Sequence, residues 1–487
     1  MLLGFVIAYW VISVAIGLWA ARRVHNTRDF AIAGRHLPFY MVTATVFATW
    51  FGSEAVLGIP AIFLEDGLHG IIADPFGAAL CLILVGVFFA APLYRMNLLT
   101  IGDFYKQRYG RAVEILTTLA IVVSYLGWVG AQITALGLVF NVVSAGEISK
   151  LAGMWIGSGS ILIYTIFGGM WAIAVTDLLQ MVIICLGMLY IGGEVSTMVG
   201  GVGVVIEHAH AAGKFEFWPK LELKEILAFA AAAMTMMFGS MPQQDVFQRV
   251  QSAKTIHIAI WATVLGGCLY FLFVFVPIFL AYSATLIDPE MVQGLMLTDP
   301  QLILPTLILK HAPVLAQIIF FGALLSAIKS CASATLLAPS VTFTENILKP
   351  LLGQIKDRDL LRLMRFVTLS FTLLVTLYAI NSKLSIFKMV ENAYQITLVT
   401  AFIPLACGVY WRRATNQGAL LSITLGLSVW LSLLIFADDP LLPAQFAGLL
   451  ASACGMVVGS LLPQKIISPL PTHPAFLQAH AARQHQH

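Results

Sequence analysis

Residues 48–60 read Ala48-Thr49-Trp50-Phe51-Gly52-Ser53-Glu54-Ala55-Val56-Leu57-Gly58-Ile59-Pro60, inside an apolar run from about 38 to 65. A helix crossing a hydrocarbon core roughly 30 Å thick needs about 20 apolar residues, and it satisfies its own backbone groups. Two glycines, a serine, a glutamate and a proline at mid-depth argue instead for an unwound stretch. Unwinding frees carbonyls that can face a cation and exposes a half-helix N-terminus. A second interruption, Gly239-Ser240-Met241-Pro242-Gln243-Gln244, lies in the run 225–248. Either break alone reads equally well as a packing kink, since Gly and Pro are common in membrane helices. Two of them, in the second and seventh spans, favour binding. They fall where two inverted five-helix repeats, each opening with a broken helix, put them.

The rest of the chain agrees with a membrane setting. Of its 487 residues 59% are hydrophobic and only 10% charged, against about 25% charged in soluble domains. This excludes a soluble enzyme, a disordered chain, a nucleic-acid binder and a secreted disulfide scaffold. The fold class is an all-α polytopic membrane protein, with candidate spans at 2–21, 38–65, 70–96, 112–142, 152–168, 170–198, 225–248, 256–285, 313–348, 361–381, 385–411, 416–437 and 443–463. That is about 13 transmembrane helices. The first run carries Arg22-Arg23 behind it and no basic residue before it, unlike a cleavable signal. It reads as an uncleaved helix with its N-terminus outside.

Basic residues test that count. With the N-terminus outside, 19 of the 27 Lys and Arg fall on the cytoplasmic side, from Arg22 and Arg23 through Arg95, Arg249 and Lys349 to Arg412, Arg413 and Arg483. The bias follows the positive-inside rule and is scrambled if one helix is missed. The C-terminus is then cytoplasmic, and the membrane is a cell inner or plasma membrane. Cys81, Cys185, Cys268, Cys331, Cys407 and Cys454 all lie in apolar runs, so free thiols are expected. His473, His480, His485 and His487 occur in a tail, 466–487, that is expected to be flexible and not a metal tract. No phosphate-cradling loop, hydrolytic triad or zinc motif stands out. A carrier or channel is favoured over a nucleotide-driven pump, and enzymatic activity is not expected.

An ordered set of pieces carries a family resemblance. Asp29-Phe30-Ala31-Ile32-Ala33-Gly34-Arg35 follows the first helix, then Thr100-Ile101-Gly102-Asp103-Phe104 with Arg108-Tyr109-Gly110. Tyr164-Thr165-Ile166-Phe167-Gly168-Gly169-Met170-Trp171-Ala172 and Thr176-Asp177-Leu178-Leu179-Gln180 come next. Gln248-Arg249 with Ala253-Lys254, then Pro404, Gly408-Val409-Tyr410-Trp411-Arg412-Arg413 and Gly418-Ala419 complete the set. Over about 25–465 the chain resembles the sodium:solute symporter family, which includes sodium/proline and sodium/sugar carriers. The resemblance implies a ten-helix core of two inverted five-helix repeats, 38–198 and 225–411. One extra helix precedes it (1–24) and two follow (416–463). It also implies alternating access, with uphill uptake of a small organic solute driven by sodium.

A sodium ion is hard and takes about five or six oxygens. By resemblance its site uses the carbonyls of Ala48, Phe51 and Ala327 and a hydroxyl pair that here falls on Ser330 and Cys331. A thiol is a soft, poor sodium ligand, so the chain departs from the pattern there, and protons stand as the alternative coupling ion. Asp177 matches a family aspartate near the site. It is the candidate for negative charge, or for carrying a proton. Lys329 lies about 200° round the helix from Ala327, on a face with Gly322, Ser326, Ser333 and Ser340. It is read as a structural ion pair or part of a water-lined face, not as a sodium surrogate.

The solute is expected beside both breaks, with Glu54, Gln243, Gln244, Glu391, Tyr394 and Gln395 as candidates and Asn392 nearby. Asp74-Pro75-Phe76 stands where sugar carriers of the family have a Tyr-Glu pair, which disfavours a sugar. Span carboxylates outnumber the single Lys329, pointing to a zwitterion or cationic amine on Glu391 or Glu54. Glu391 reads equally as an outer-mouth residue near Lys388. Gln243 and Gln244 read equally as partners of freed backbone groups. Sodium-coupled symport leads. The alternatives are a proton-coupled or ion-independent carrier on the same scaffold, or a carrier-like solute sensor acting with a separate partner. The expected partners are the solute and the bilayer, with no nucleic acid and no cofactor beyond the coupling ion.

Overall fold

A computed structural model describes residues 2–437 and 440–466; the four tail histidines lie outside them. The elements used below are α1 (Leu2–Ala20), α2 (Phe39–Trp50), α3 (Glu54–Gly70), α4 (Ile72–Arg95), α5 (Ile101–Tyr109), α6 (Arg111–Val143), α7 (Lys150–Met198), α8 (Val202–Ala211), α9 (Leu223–Gly239), α10 (Gln244–Ser252), α11 (Ile256–Ile287), α12 (Val314–Leu352), α13 (Asp357–Asn381), α14 (Ile386–Tyr410), α15 (Asn416–Phe436) and α16 (Ala444–Leu461). Among the described residues there is no strand, only a single bridge between Leu37 and Ala253. The six cysteines are free.

Ten helices are long and apolar enough to cross a bilayer, and two bent pairs pass the same test together. The pairs are α2 with α3, bent by 53°, and α9 with α10, bent by 46°. These are the two interruptions read from the sequence. At the first, Phe51 leaves helical geometry (φ −87°, ψ 68°), and the Ser53 N–H donates to Gln132 Oε1 at 2.9 Å. At the second, the Thr397 hydroxyl donates to the Gly239 carbonyl at 2.7 Å. Side chains from neighbouring helices thus satisfy backbone groups that the breaks release, as a lipid environment requires.

α7 runs for 49 residues. Straight, it would reach about 74 Å at 1.5 Å per residue, more than twice the hydrocarbon thickness. It turns at Gly169 (φ 46°, ψ −141°), between the expected spans 152–168 and 170–198. A Cβ there would run into the Phe30 carbonyl, so both backbone angle and space call for glycine. Between the spans the chain carries short helices, α5 and α8 among them. α12 packs against α6, α7 and α2, and α14 against α6, so both breaks face the inside of the bundle.

Candidate functional site

The first break is surrounded by two sets of side chains. On one side Asp177, in mid-α7, is fully buried and joins two helices. One carboxylate oxygen accepts from the Thr45 hydroxyl of α2, the other from the Ser330 hydroxyl of α12 at 2.6 Å. The Thr49 hydroxyl turns back to the Thr45 carbonyl at 2.6 Å. Ala48, Phe51 and Ala327 are buried between these elements. Asp177, Ser330 and the broken helix are therefore brought together, with Thr45 as a hydroxyl that the sequence reading passed over.

Cys331 faces differently from Ser330. Its Sγ lies 4.0 Å from Glu54 Oε1, and a Cβ on Gly52 would stand 2.8 Å from that sulfur. The glycine in the break is what lets α12 approach the chain so closely.

On the other side stands Glu54, 2% exposed. Its carboxylate accepts from Gln132 Nε2 at 2.7 Å, Trp128 Nε1 at 3.4 Å and the Ser53 hydroxyl at 3.5 Å. Trp128 and Gln132 are four residues apart and share one face of α6. Around the carboxylate the rings of Trp50, Trp128, Tyr270 and Tyr394 pack together. Trp50 meets Trp128 edge-on at 5.5 Å and lies parallel to Tyr394 at 6.2 Å, while Trp128 meets Tyr394 at 5.4 Å and Tyr270 stands 6.4 Å from Trp50. Tyr270 donates its hydroxyl to Asp74. All four rings are at most 2% exposed, so the cluster is closed off from solvent. Chemically, the arrangement is a buried carboxylate joined through the Trp128 N–H to a cluster of aromatic rings. It suits an ammonium, because the ring quadrupoles attract a cation and the carboxylate supplies a full charge.

The remaining candidates separate. Tyr394 belongs to the ring cluster. Gln243 follows the second break, where its amide donates to Ser124 at 2.9 Å and Thr397 at 3.3 Å. Gln244 accepts from the Ile101 N–H at 2.8 Å and so caps α5. Glu391 pairs with Lys388 at 2.7 Å on a face where the lysine is 53% exposed. Gln395 contacts Asn392 and Trp430. The structure thus brings Glu54 and Tyr394 to the first break and leaves Glu391 and Gln395 on another face of α14. Thr45, Trp50, Trp128, Gln132 and Tyr270 were not anticipated. Only Trp128 with Gln132 left a trace in the sequence, as a polar-aromatic pair at helical spacing in an apolar run. Asp245, whose carboxylate accepts from Tyr125, is a further buried acid on α10.

Lys329 is fully buried and makes no ion pair among the described residues, so of the two readings, an ion pair or a water-lined face, the first is not met. Its Nζ instead faces the rings of Tyr9, Trp10 and Tyr164 at 5.9, 5.9 and 5.5 Å. Two of those rings come from α1, beyond the region whose motifs suggested a family.

Residues 30–426 match the family model described as "Sodium:solute symporter family". The chain belongs to the sodium:solute symporter family. Its relatives include the high-affinity choline transporter 1 of Caenorhabditis elegans, 24% identical over 472 residues that span 91% of this chain and 80% of the relative. The high-affinity proline transporter PutP of Bacillus subtilis is 24% identical over 483 residues, 92% of this chain and 95% of the relative. Among solved structures, a substrate-bound, outward-open Na+-coupled sialic acid symporter superimposes with a TM-score of 0.81 at 20% identity, covering 96% of this chain and 99% of that one. Mhp1, a nucleobase-cation-symport-1 family transporter, gives 0.60 at 14% identity, covering 91% and 97%. The chain shares the fold of these carriers. It is an integral membrane transporter, not an enzyme.

Proposed function

We propose that this protein is a sodium-coupled symporter of a small organic cation carrying an ammonium group, working by alternating access. The observation that carries the reading is the buried Glu54 carboxylate at the first break, tied through the Trp128 N–H to the ring cluster of Trp50, Trp128, Tyr270 and Tyr394. The choline transporters among the relatives support a quaternary ammonium, and the proline transporters a zwitterion. The local charge favours the former. A solute carboxylate would seek N–H groups at the half-helix N-terminus, but the Ser53 N–H already serves Gln132 and Glu54 brings a negative charge to that end.

Sodium takes Asp177 as counter-charge, with Thr45 and Ser330 as hydroxyls and the carbonyls of Ala48, Phe51 and Ala327 as further oxygens. Cys331 adds no hard ligand, which favours proton coupling as the second reading. Counting α7 as two spans about Gly169 and each bent pair as one makes thirteen, with the N-terminus outside and the C-terminus cytoplasmic. The ten core spans form two inverted repeats, 38–198 and 225–411. Gln243 and Thr397 stabilise the second break, while Glu391 belongs to the outer mouth.

Thermal unfolding of purified protein tests the solute class, because a ligand of the folded state raises the midpoint by mass action. Choline should raise it saturably in sodium and less in potassium, and Glu54→Gln should abolish the response. A shift with proline and none with choline would turn the assignment to a zwitterion.

A further inference from the structure

We propose that the cavity beneath α8 is a binding site for one acyl chain of a phospholipid, taken from the leaflet on the α8 side of the membrane. The cavity measures about 580 Å³ and lies between α3, α7, α8 and α11, within the range of roughly 300–1,000 Å³ common to ligand sites. Phe63 and Phe279 wall it from α3 and α11, and the buried Val205 and Ala209 roof it from α8. Along α7 the wall is Gly192 and Gly193. A Cβ added to Gly193 would meet nothing within 4 Å, and one on Gly192 only Val276 at 3.8 Å. The lining side chains carry two hydroxyls, those of Ser196 and Tyr282, and no charge.

Depth in the membrane decides the occupant. Leu189, on the rim, stands about 30 Å along α7 from the turn at Gly169 at 1.5 Å per residue, which is the hydrocarbon thickness. α8 turns Val205 and Ala209 inward and Glu207, His208 and His210 outward, as a helix lying along a membrane surface does, and so covers the cavity from the aqueous side. Leu189, Val202 and Ile206, all about half exposed, leave it open towards the bilayer. A buried water needs about three hydrogen bonds. Two hydroxyls, one of them already shared with His208 Nδ1 at 3.0 Å, cannot hold a cavity of water. Acyl chains are the apolar material at that level. In lipid the gain on binding is close packing, since a lining without partner atoms forfeits its dispersion contacts. The tail 466–487 is not the occupant, because on the thirteen-span path it leaves the bundle on the opposite side.

The site is coupled to the first break. Phe63 lies on α3, the half-helix that starts at Glu54, and its ring meets Tyr282 edge-on at 5.8 Å. The chain that follows α8 is pinned to the same half-helix. Lys214 Nζ donates to the Leu64 and Glu65 carbonyls at 2.8 and 2.9 Å, and the Leu68 N–H donates to the Lys214 carbonyl at 2.8 Å. An acyl chain seated beneath α8 therefore braces α3 in this arrangement, whichever solute is carried.

The test is photo-crosslinking of the full chain in vesicles doped with a phosphatidylglycerol that carries a diazirine on one acyl chain. Its headgroup has no amine to address the solute site. Adducts are mapped by peptide mass spectrometry. Phe63, Val205 and Phe279 should be labelled several-fold more heavily than Leu373 and Leu377, which are 51% and 46% exposed on α13. Gly193→Phe, which fills the cavity from a position with open space around it, should cut the labelling of Phe63 and Val205 several-fold and leave Leu373 and Leu377 as they were. In detergent, added phosphatidylglycerol should raise the unfolding midpoint saturably in the wild type and far less in Gly193→Phe. Wild-type labelling of Phe63 and Val205 no stronger than that of Leu373 and Leu377 overturns the proposal, leaving bulk lipid around the bundle only; this decides even where the variant does not fold. Undiminished labelling of Phe63 in Gly193→Phe overturns it too, as does cavity labelling by a diazirine sterol and not by the phospholipid.

Discussion

Replacing Asp177 with asparagine keeps the shape of the site and removes its charge. The side chain bridges Thr45 and Ser330. Both partners are hydroxyls that can accept as well as donate, so the amide can make two bonds in the same positions. Exchanging two charge-assisted bonds for neutral ones costs about 1–3 kcal/mol in all, partly offset because a buried charge is no longer desolvated. The loss to a bound cation is larger. A unit charge about 5 Å away in an effective dielectric of about 20 contributes roughly 3 kcal/mol, or about two orders of magnitude in affinity. The assay is the sodium dependence of the unfolding midpoint at constant ionic strength, with potassium as the replacing ion. In Asp177→Asn the half-saturating sodium concentration should rise about 100-fold, while the midpoint in potassium stays within a few degrees of wild type. A half-saturation within threefold of wild type would refute the placement of sodium beside Asp177.

Other residues give separate readings. Cys331→Ser puts a hydroxyl against Glu54, on the side of α12 turned away from Asp177, and should leave half-saturating sodium unchanged in the same titration; a several-fold fall would mean that position 331 reaches the coordination shell. Trp50→Leu removes one face of the ring cluster, worth about 0.5–2 kcal/mol to a bound cation, and should weaken choline binding by about 2- to 30-fold in isothermal calorimetry. Glu391→Gln breaks only a half-exposed pair with Lys388, so choline affinity should stay within twofold. Gly169→Ala puts a side chain at φ 46° against the Phe30 carbonyl. Strain of about 1–3 kcal/mol should lower the melting midpoint by several degrees in any salt.

The sequence exposed the spans and the breaks because both are local signals. An apolar run of fixed length, or a Gly-Ser-Glu-Pro cluster inside one, can be read without knowing the fold. Asp177 was proposed from a quoted motif and Ser330 from the family's hydroxyl pair, which together gave their places on α7 and α12. The ring cluster escaped, since Trp50, Trp128, Tyr270 and Tyr394 come from four separate helices and each alone looks like ordinary core. Tyr394 and Gln395 entered the candidate set as neighbours of Glu391, which stands at a matched family position; the two that face away from the break are Glu391 and Gln395. They are four residues apart and share a face of α14, whereas Tyr394 lies about 100° round from Gln395, and it is Tyr394's face that meets the break. Lys329 was placed on the right side of its helix, away from Ser330 and Cys331. Its surroundings were misjudged because Tyr9 and Trp10 sit on α1, outside the pattern that guided the reading.

The central claim is that a sodium gradient drives an organic cation through the ring cluster at the first break. Purified protein in sealed liposomes, given labelled choline outside and either an inward sodium gradient or an equal potassium gradient, tests it directly. The account predicts transient accumulation above the equilibrium level in sodium only, lost in Asp177→Asn and in Glu54→Gln. Equal uptake in sodium and potassium, with accumulation following an imposed proton gradient instead, would contradict it.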